Sequence, residues 1–155
     1  EKHHAAGGDF REEIPVEAYT VPIGKAKILQ QGSDLTIISY GAMMRPALEA
    51  TETLKQEGVS VELIDLRTIM PMDQETVLNS IRKTGRCVVV HEGPRTCGVA
   101  AEIIALANDE VMLNLLAPIG RVTGYDTPMP YAKTELAYLP DAKRVLKAAR
   151  SVMEF

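Results

Sequence analysis

At 155 residues the chain is long enough for one domain with a substantial core. Its 46% hydrophobic and 25% charged residues give the balance of an ordinary globular domain. A formal net charge of -4 argues against a nucleic-acid binder, which needs a clustered positive excess. No apolar run reaches the ~18 residues of a membrane-spanning helix, so no membrane partner is expected. Glu1-Lys2-His3-His4 lacks the apolar stretch of a signal peptide. Cys87 and Cys97 are too few for a disulfide framework and point to a reducing, cytoplasmic compartment.

Residues 1–13 show no periodicity and read as a leader or linker, leaving 14–155 as the domain. Gly24–Gln30 is a short candidate strand and Asp34–Gly41 a stronger one, since Thr36-Ile37-Ile38 is the β-branched run of a strand covered on both faces. Met44, Ala47, Leu48, Thr51 and Leu54 follow at helical spacing until Gly58 stops them. Ser60–Arg67 is the next strand. Pro71 breaks the chain, and Asp73 caps a helix carrying Val77, Leu78 and Ile81 that ends at Gly85. Cys87–His91 is a buried type of strand. The helix after it places Val99, Ile103, Ala107 and Val111 on one face, and Pro118–Gly124 is the last strand. Residues 125–140 hold three prolines and no periodicity, before a closing helix marked by Ala142, Val145, Leu146, Ala149, Val152 and Met153. This alternation predicts an α/β fold with right-handed crossovers and a mostly parallel sheet.

Two segments are candidates for a site. His91-Glu92-Gly93-Pro94-Arg95-Thr96-Cys97-Gly98 lies at a strand's carboxyl end, where open α/β sheets bind ligands. There His91 can serve as an acid or base, Arg95 as an anion clamp, and the following helix amino terminus as an anion site. The plainer alternative is a tight turn in which His91 and Glu92 make local hydrogen bonds or face a neighbouring subunit. Adjacent strand residues point to opposite faces, which makes His91 and Glu92 a poor pair for concerted proton transfer. Gly124-Tyr125-Asp126-Thr127-Pro128-Met129-Pro130-Tyr131-Ala132 is the second candidate. Its prolines fix an extended loop that costs little to order against a partner, although a surface connection to the last helix explains it as well. The interface-loop candidates are therefore His91, Arg95, Asp126 and Pro128. No Gly-x-Gly-x-x-Gly follows a strand, and no P-loop pattern is present. Cys87, His91 and Cys97 do not supply the four closely spaced ligands of a structural zinc site. No catalytic, cofactor-binding or metal-binding residue is assigned.

An ordered set of short motifs resembles the beta subunits of thiamine-diphosphate-dependent 2-oxoacid dehydrogenases. These are Ile14-Pro15 through Pro22-Ile23-Gly24-Lys25-Ala26, then Ser39-Tyr40-Gly41-Ala42-Met43, and Ile64-Asp65-Leu66-Arg67-Thr68 with Pro71 and Asp73. Lys83-Thr84-Gly85-Arg86 and His91-Glu92-Gly93-Pro94-Arg95-Thr96 come next. Arg121-Val122-Thr123-Gly124, Asp126-Thr127-Pro128 and Tyr138-Leu139-Pro140 complete the set. Each motif alone is weak and the order is specific.

The resemblance implies a transketolase carboxy-terminal domain: a three-layer α/β/α sandwich on a five-stranded sheet, mostly parallel, whose first strand runs antiparallel to the other four. For the whole enzyme it implies decarboxylation of a 2-oxoacid on thiamine diphosphate and magnesium, followed by acylation of a lipoyl group. Those cofactors would be held elsewhere, by the alpha subunit and the beta subunit's front half, and none by this segment alone. The implied partners are an alpha subunit, a second beta subunit and the docking domain of a dihydrolipoyl acyltransferase. The implied location is the cytoplasm, or the mitochondrial matrix in a eukaryote. Glu154 and Phe155, held by the last helix, are the docking candidates: their charges and an aromatic ring suit a small basic docking domain.

Two departures stand out. Cys97 occupies a place where relatives often show glycine, and Leu116 one where many have an acidic residue. Two other readings are a stand-alone interaction module and the closing domain of a related thiamine-dependent synthase, such as deoxyxylulose-phosphate synthase. Asp126-Thr127-Pro128 and Tyr138-Leu139-Pro140 favour the dehydrogenase over that synthase.

Overall fold

The computed structural model describes residues 16–130 and 134–155. The expected leader, 1–13, lies outside the described residues. Five strands form one sheet: β1 (Lys27–Gln30), β2 (Leu35–Ser39), β3 (Val61–Asp65), β4 (Cys87–Val90) and β5 (Gly120–Val122). The helices are α1 (Met44–Gln56), α2 (Gln74–Thr84), α3 (Val99–Val111), α4 (Glu135–Tyr138) and α5 (Ala142–Met153). The strand order is β1-β3-β2-β4-β5. β2 pairs in parallel with β3 and β4, and β4 with β5, whereas β1 pairs antiparallel to β3 with Ile28 opposite Ile64.

The period of two along the strands builds the layers. Leu35, Ile37, Val88 and Val90 face one core, filled by Ala47 and Leu54 of α1 and by Val145, Ala149 and Val152 of α5. Ile38, Ile64 and Val89 face the other, filled by Val77 and Ile81 of α2 and by Ile103 and Ala107 of α3. With a helix pair on each face, both faces of β2 and β4 are buried along their whole length. That is why their sequences read as continuous apolar or β-branched runs. The expected three-layer sandwich with one antiparallel strand is the observed fold.

Local signals set the helix ends. The Asp73 carboxylate accepts the Thr76 amide at 3.2 Å at the start of α2, and Gly85 ends that helix at φ 68°. Asp141 caps α5 by accepting the Arg144 amide at 2.8 Å. Beneath α2, Thr36 shares hydrogen bonds with Ser80 (2.7 Å) and Thr84 (2.8 Å), so a buried polar seam is internally satisfied.

Several expected boundaries shift. The last strand is Gly120–Val122 rather than Pro118–Gly124, because only those residues pair with β4. The first narrows from Gly24–Gln30 to Lys27–Gln30. In α3 the buried residue of the first turn is Ala100, and Val99 is only partly covered. The stretch 125–140 contains α4, whose single turn is too short to show a period. It buries Tyr138. Among the described residues, no helix is long and apolar enough to cross a membrane.

Candidate interface site at the carboxyl end of the sheet

β4 and β5 run in parallel, so the segments that follow them emerge side by side. The His91 amide donates to the Val122 carbonyl at 3.0 Å, extending the ladder one step past the strands. The Gly124 amide then donates to the Gly93 carbonyl at 3.0 Å. Gly124 is needed for this approach: a Cβ there would lie 2.4 Å from the Glu92 carbonyl oxygen. Farther out, Asp126 accepts both the Thr96 amide (2.8 Å) and the Thr96 hydroxyl (2.7 Å). Those two bonds, with the Arg95 backbone and charge beside them, hold the Asp126 carboxyl below its ordinary value. The two candidate segments are therefore one structure, joined at two places, Gly93 to Gly124 and Thr96 to Asp126.

The second segment is anchored from behind by Arg144 of α5. Its guanidinium donates to the carbonyls of Tyr138 (3.3 Å) and Thr123, and lies 5.0 Å from the centre of the Tyr125 ring. The Tyr138 hydroxyl donates to the Tyr125 carbonyl at 3.1 Å, and the two tyrosine rings meet edge to face.

His91 lies in the floor of this site and is 1% exposed. Its ring stacks on Tyr40 at 6.4 Å between centroids and 15° between planes. Its Cε1–Nε2 edge abuts Gly98, where a Cβ would come within 2.6 Å of Cε1. Neither ring nitrogen makes a hydrogen bond of ordinary geometry among the described residues. Burial pushes the imidazole pKa below its ordinary value. The Gly93 backbone works the other way, and the Arg121 charge adds to the depression. Glu92 is exposed while His91 is buried.

Arg95, Asp126 and Pro128 are exposed around this floor, while Tyr131 and Ala132 lie outside the described residues. Cys97 is exposed and has φ 56°, a left-handed conformation that favours glycine. That is the physical sense of a glycine preference at this place. Among the described residues, no three His, Cys, Asp or Glu side chains converge to hold a metal ion.

Glu154 and Phe155 lie elsewhere. α5 starts beside Thr123 at the carboxyl end of β5, and Val152 packs at Gly120, where β5 begins. The two docking candidates thus stand at the amino end of the sheet, with Phe155 75% exposed. Leu116 also reaches this end, since its amide donates to the Gly85 carbonyl at 2.8 Å, just before β4. Met112, Leu113 and Leu116 are all exposed. Sequence reasoning singled out Leu116 and passed over the other two, although Met112-Leu113-Asn114-Leu115-Leu116 is an apolar run after a helix end. The anchoring role of Arg144 had no local signal, because its partners are carbonyls distant in sequence.

Residues 24–145 match the family described as transketolase, C-terminal domain. The chain belongs to that family. Over 146 residues it is 45% identical to "Pyruvate dehydrogenase E1 component subunit beta" of Bacillus subtilis (strain 168), covering 94% of this chain and 45% of that one. The subunit of the same name from Staphylococcus epidermidis is 46% identical with the same coverage. The chain thus spans just under half the length of these curated relatives. Among solved structures it is similar to a split gene transketolase, an inactive beta4 tetramer, at 26% identity and TM-score 0.77, covering 93% of this chain and 46% of that one. A 2-oxoglutarate:ferredoxin oxidoreductase from Magnetococcus marinus shares the fold alone, at 12% identity, TM-score 0.56 and coverage of 83% of this chain and 19% of that one.

Proposed function

We propose that this chain is the closing domain of the beta subunit of a thiamine-diphosphate-dependent 2-oxoacid dehydrogenase, with pyruvate as substrate. The observation that carries this reading is 45% identity to pyruvate dehydrogenase E1 beta subunits across 94% of the chain. The whole enzyme, working in the cytoplasm, would decarboxylate the 2-oxoacid and pass the acyl group to a lipoyl group. Thiamine diphosphate and magnesium would supply that chemistry from the alpha subunit and the beta subunit's front half. Among the described residues no three His, Cys, Asp or Glu side chains gather as metal ligands, and no step is routed through this domain.

The work assigned to this domain is assembly and docking. The turn carrying His91 and Arg95, cross-linked through Asp126 to the loop carrying Pro128, is a pre-ordered surface for the alpha subunit or a second beta subunit. At the other end of the sheet, Glu154 and Phe155 would receive the acyltransferase docking domain. α5 fixes their position by burying Val145, Ala149 and Val152. Met112, Leu113 and Leu116, exposed toward the same end, would add an apolar share to that contact.

The test is removal of Glu154 and Phe155 from the intact alpha–beta assembly, followed by calorimetric titration with the isolated docking domain at low and high salt. Weaker binding and a shallower salt dependence are expected, with decarboxylation of free 2-oxoacid preserved. Unchanged affinity at both salt concentrations would move docking to another face.

A further inference from the structure

β5 is the last strand in the order and has a neighbour on one side only. It pairs with β4 through Gly120 and Val122, in the register that brings the His91 amide to the Val122 carbonyl. In a parallel ladder alternate residues bond to the same neighbour, so the Arg121 backbone N–H and C=O point to the open side. Along that side, between β5 and α5, runs a cleft of about 360 Å³ lined by Arg121, Val122, Arg144, Lys147, Ala148 and Ser151. Its charge is opposite to that of the chain. The whole sequence carries -4, yet the lining includes Arg144 and Lys147 and no acid, while the Arg121 guanidinium turns to the other face and donates to the Arg95 carbonyl. Arg144 donates only to carbonyls and also faces the Tyr125 ring, and neither Arg144 nor Lys147 is ion-paired among the described residues.

We propose that this cleft is a docking site for an acidic, extended segment of a partner protein, which adds to the open edge of β5 and sets its carboxylates against Lys147 and the Arg144 side of α5. The inference goes beyond the dehydrogenase reading and does not rest on it. A small anion would account for the cations but not for the free backbone edge beside them. An extended segment accounts for both. Alternate residues of a strand share one face, so glutamates at every second position would all reach the α5 side, while the apolar residues between them turn away. Val122 and Ala148 give the cleft an apolar floor for the carboxylate stems.

The test titrates a fluorescein-labelled peptide of alternating glutamate and valine against the 155-residue chain, read by anisotropy. Saturable binding that weakens with salt is expected. Lys147→Glu should weaken it several-fold, and Lys147→Glu with Ser151→Glu, one helical turn further along the same lining, at least tenfold. Lys27→Glu, on the opposite sheet edge, should leave it unchanged. Arg144 is left intact because it pins the Thr123–Tyr138 loop. Lys147 is exposed, so its charge reversal tests the site even where the double variant melts early. Methylating the peptide amides that would meet β5 should also abolish binding. Three results would overturn the proposal: no saturable binding, an equal loss on Lys27→Glu, or full competition by pyrophosphate with no effect of amide methylation. The last would make the cleft a small-anion site.

Discussion

A buried imidazole whose nitrogens make no hydrogen bond of ordinary geometry among the described residues favours its neutral form, and His91 is in that position. Because folding lowers its pKa, the unfolded chain binds more protons than the folded one below the ordinary histidine value. Stability is then fully present above pH of about 6.5 and is lost as pH falls from there toward the depressed folded value. Urea melts between pH 8 and 5 should show this loss, and His91→Gln should remove most of it. The same substitution in the whole enzyme should cost less than tenfold in turnover, or about 1.4 kcal/mol of barrier. A loss of about a thousandfold with assembly intact would instead mark an acid–base group. Gly98 is the complementary case. A Cβ there would meet the Pro94 carbonyl at 2.4 Å and His91 Cε1 at 2.6 Å. Gly98→Ala is expected to destabilise by about 1–3 kcal/mol in the same melts, since neither neighbour is a flexible chain end.

At the scale of elements, α2 hangs on one carboxylate. Asp73 accepts the Thr76 amide and hydroxyl, and also the Ala26 amide at 3.0 Å, which ties the chain just before β1 to the start of α2. Its pKa is lowered. Burial opposes this, and the Ala26 and Thr76 bonds, helped by the Lys25 charge, outweigh it. Its contribution is therefore present above the unfolded aspartate value and fades as pH falls below about 4. Asp73→Ala should cost about 0.5–2 kcal/mol, the range of a lost helix cap, read by denaturant titration at pH 7. Most of this level was legible beforehand. Asp73, Gly58 and Gly85 signal α1 and α2 through local chemistry, and β2 and β4 through unbroken burial. What was not legible depended on contacts distant in sequence. The joining of the His91 turn to the Asp126 loop needs Thr96 and Gly93 to meet residues about thirty positions away. α4 needs Tyr138 to find Tyr125. Cys97 in the left-handed region was visible only as a departure from an expected glycine.

Over the whole molecule, the two candidate surfaces sit at opposite ends of one rigid sheet. The carboxyl end carries His91, Arg95, Asp126 and Pro128, and the amino end carries Leu113, Leu116, Glu154 and Phe155. If the two surfaces serve assembly and docking as proposed, neither role competes for the other's residues. The most direct test is a domain exchange. Residues 24–155 would replace the matching half of the Bacillus subtilis pyruvate dehydrogenase E1 beta subunit, co-purified with its alpha subunit. Thiamine-dependent decarboxylation of pyruvate would then be measured. An assembled enzyme with turnover within about tenfold of the parent is expected if the exchanged half serves packing and docking and supplies no reacting group. An exchanged subunit that fails to assemble, or one that assembles and turns over a thousandfold more slowly, would contradict that reading.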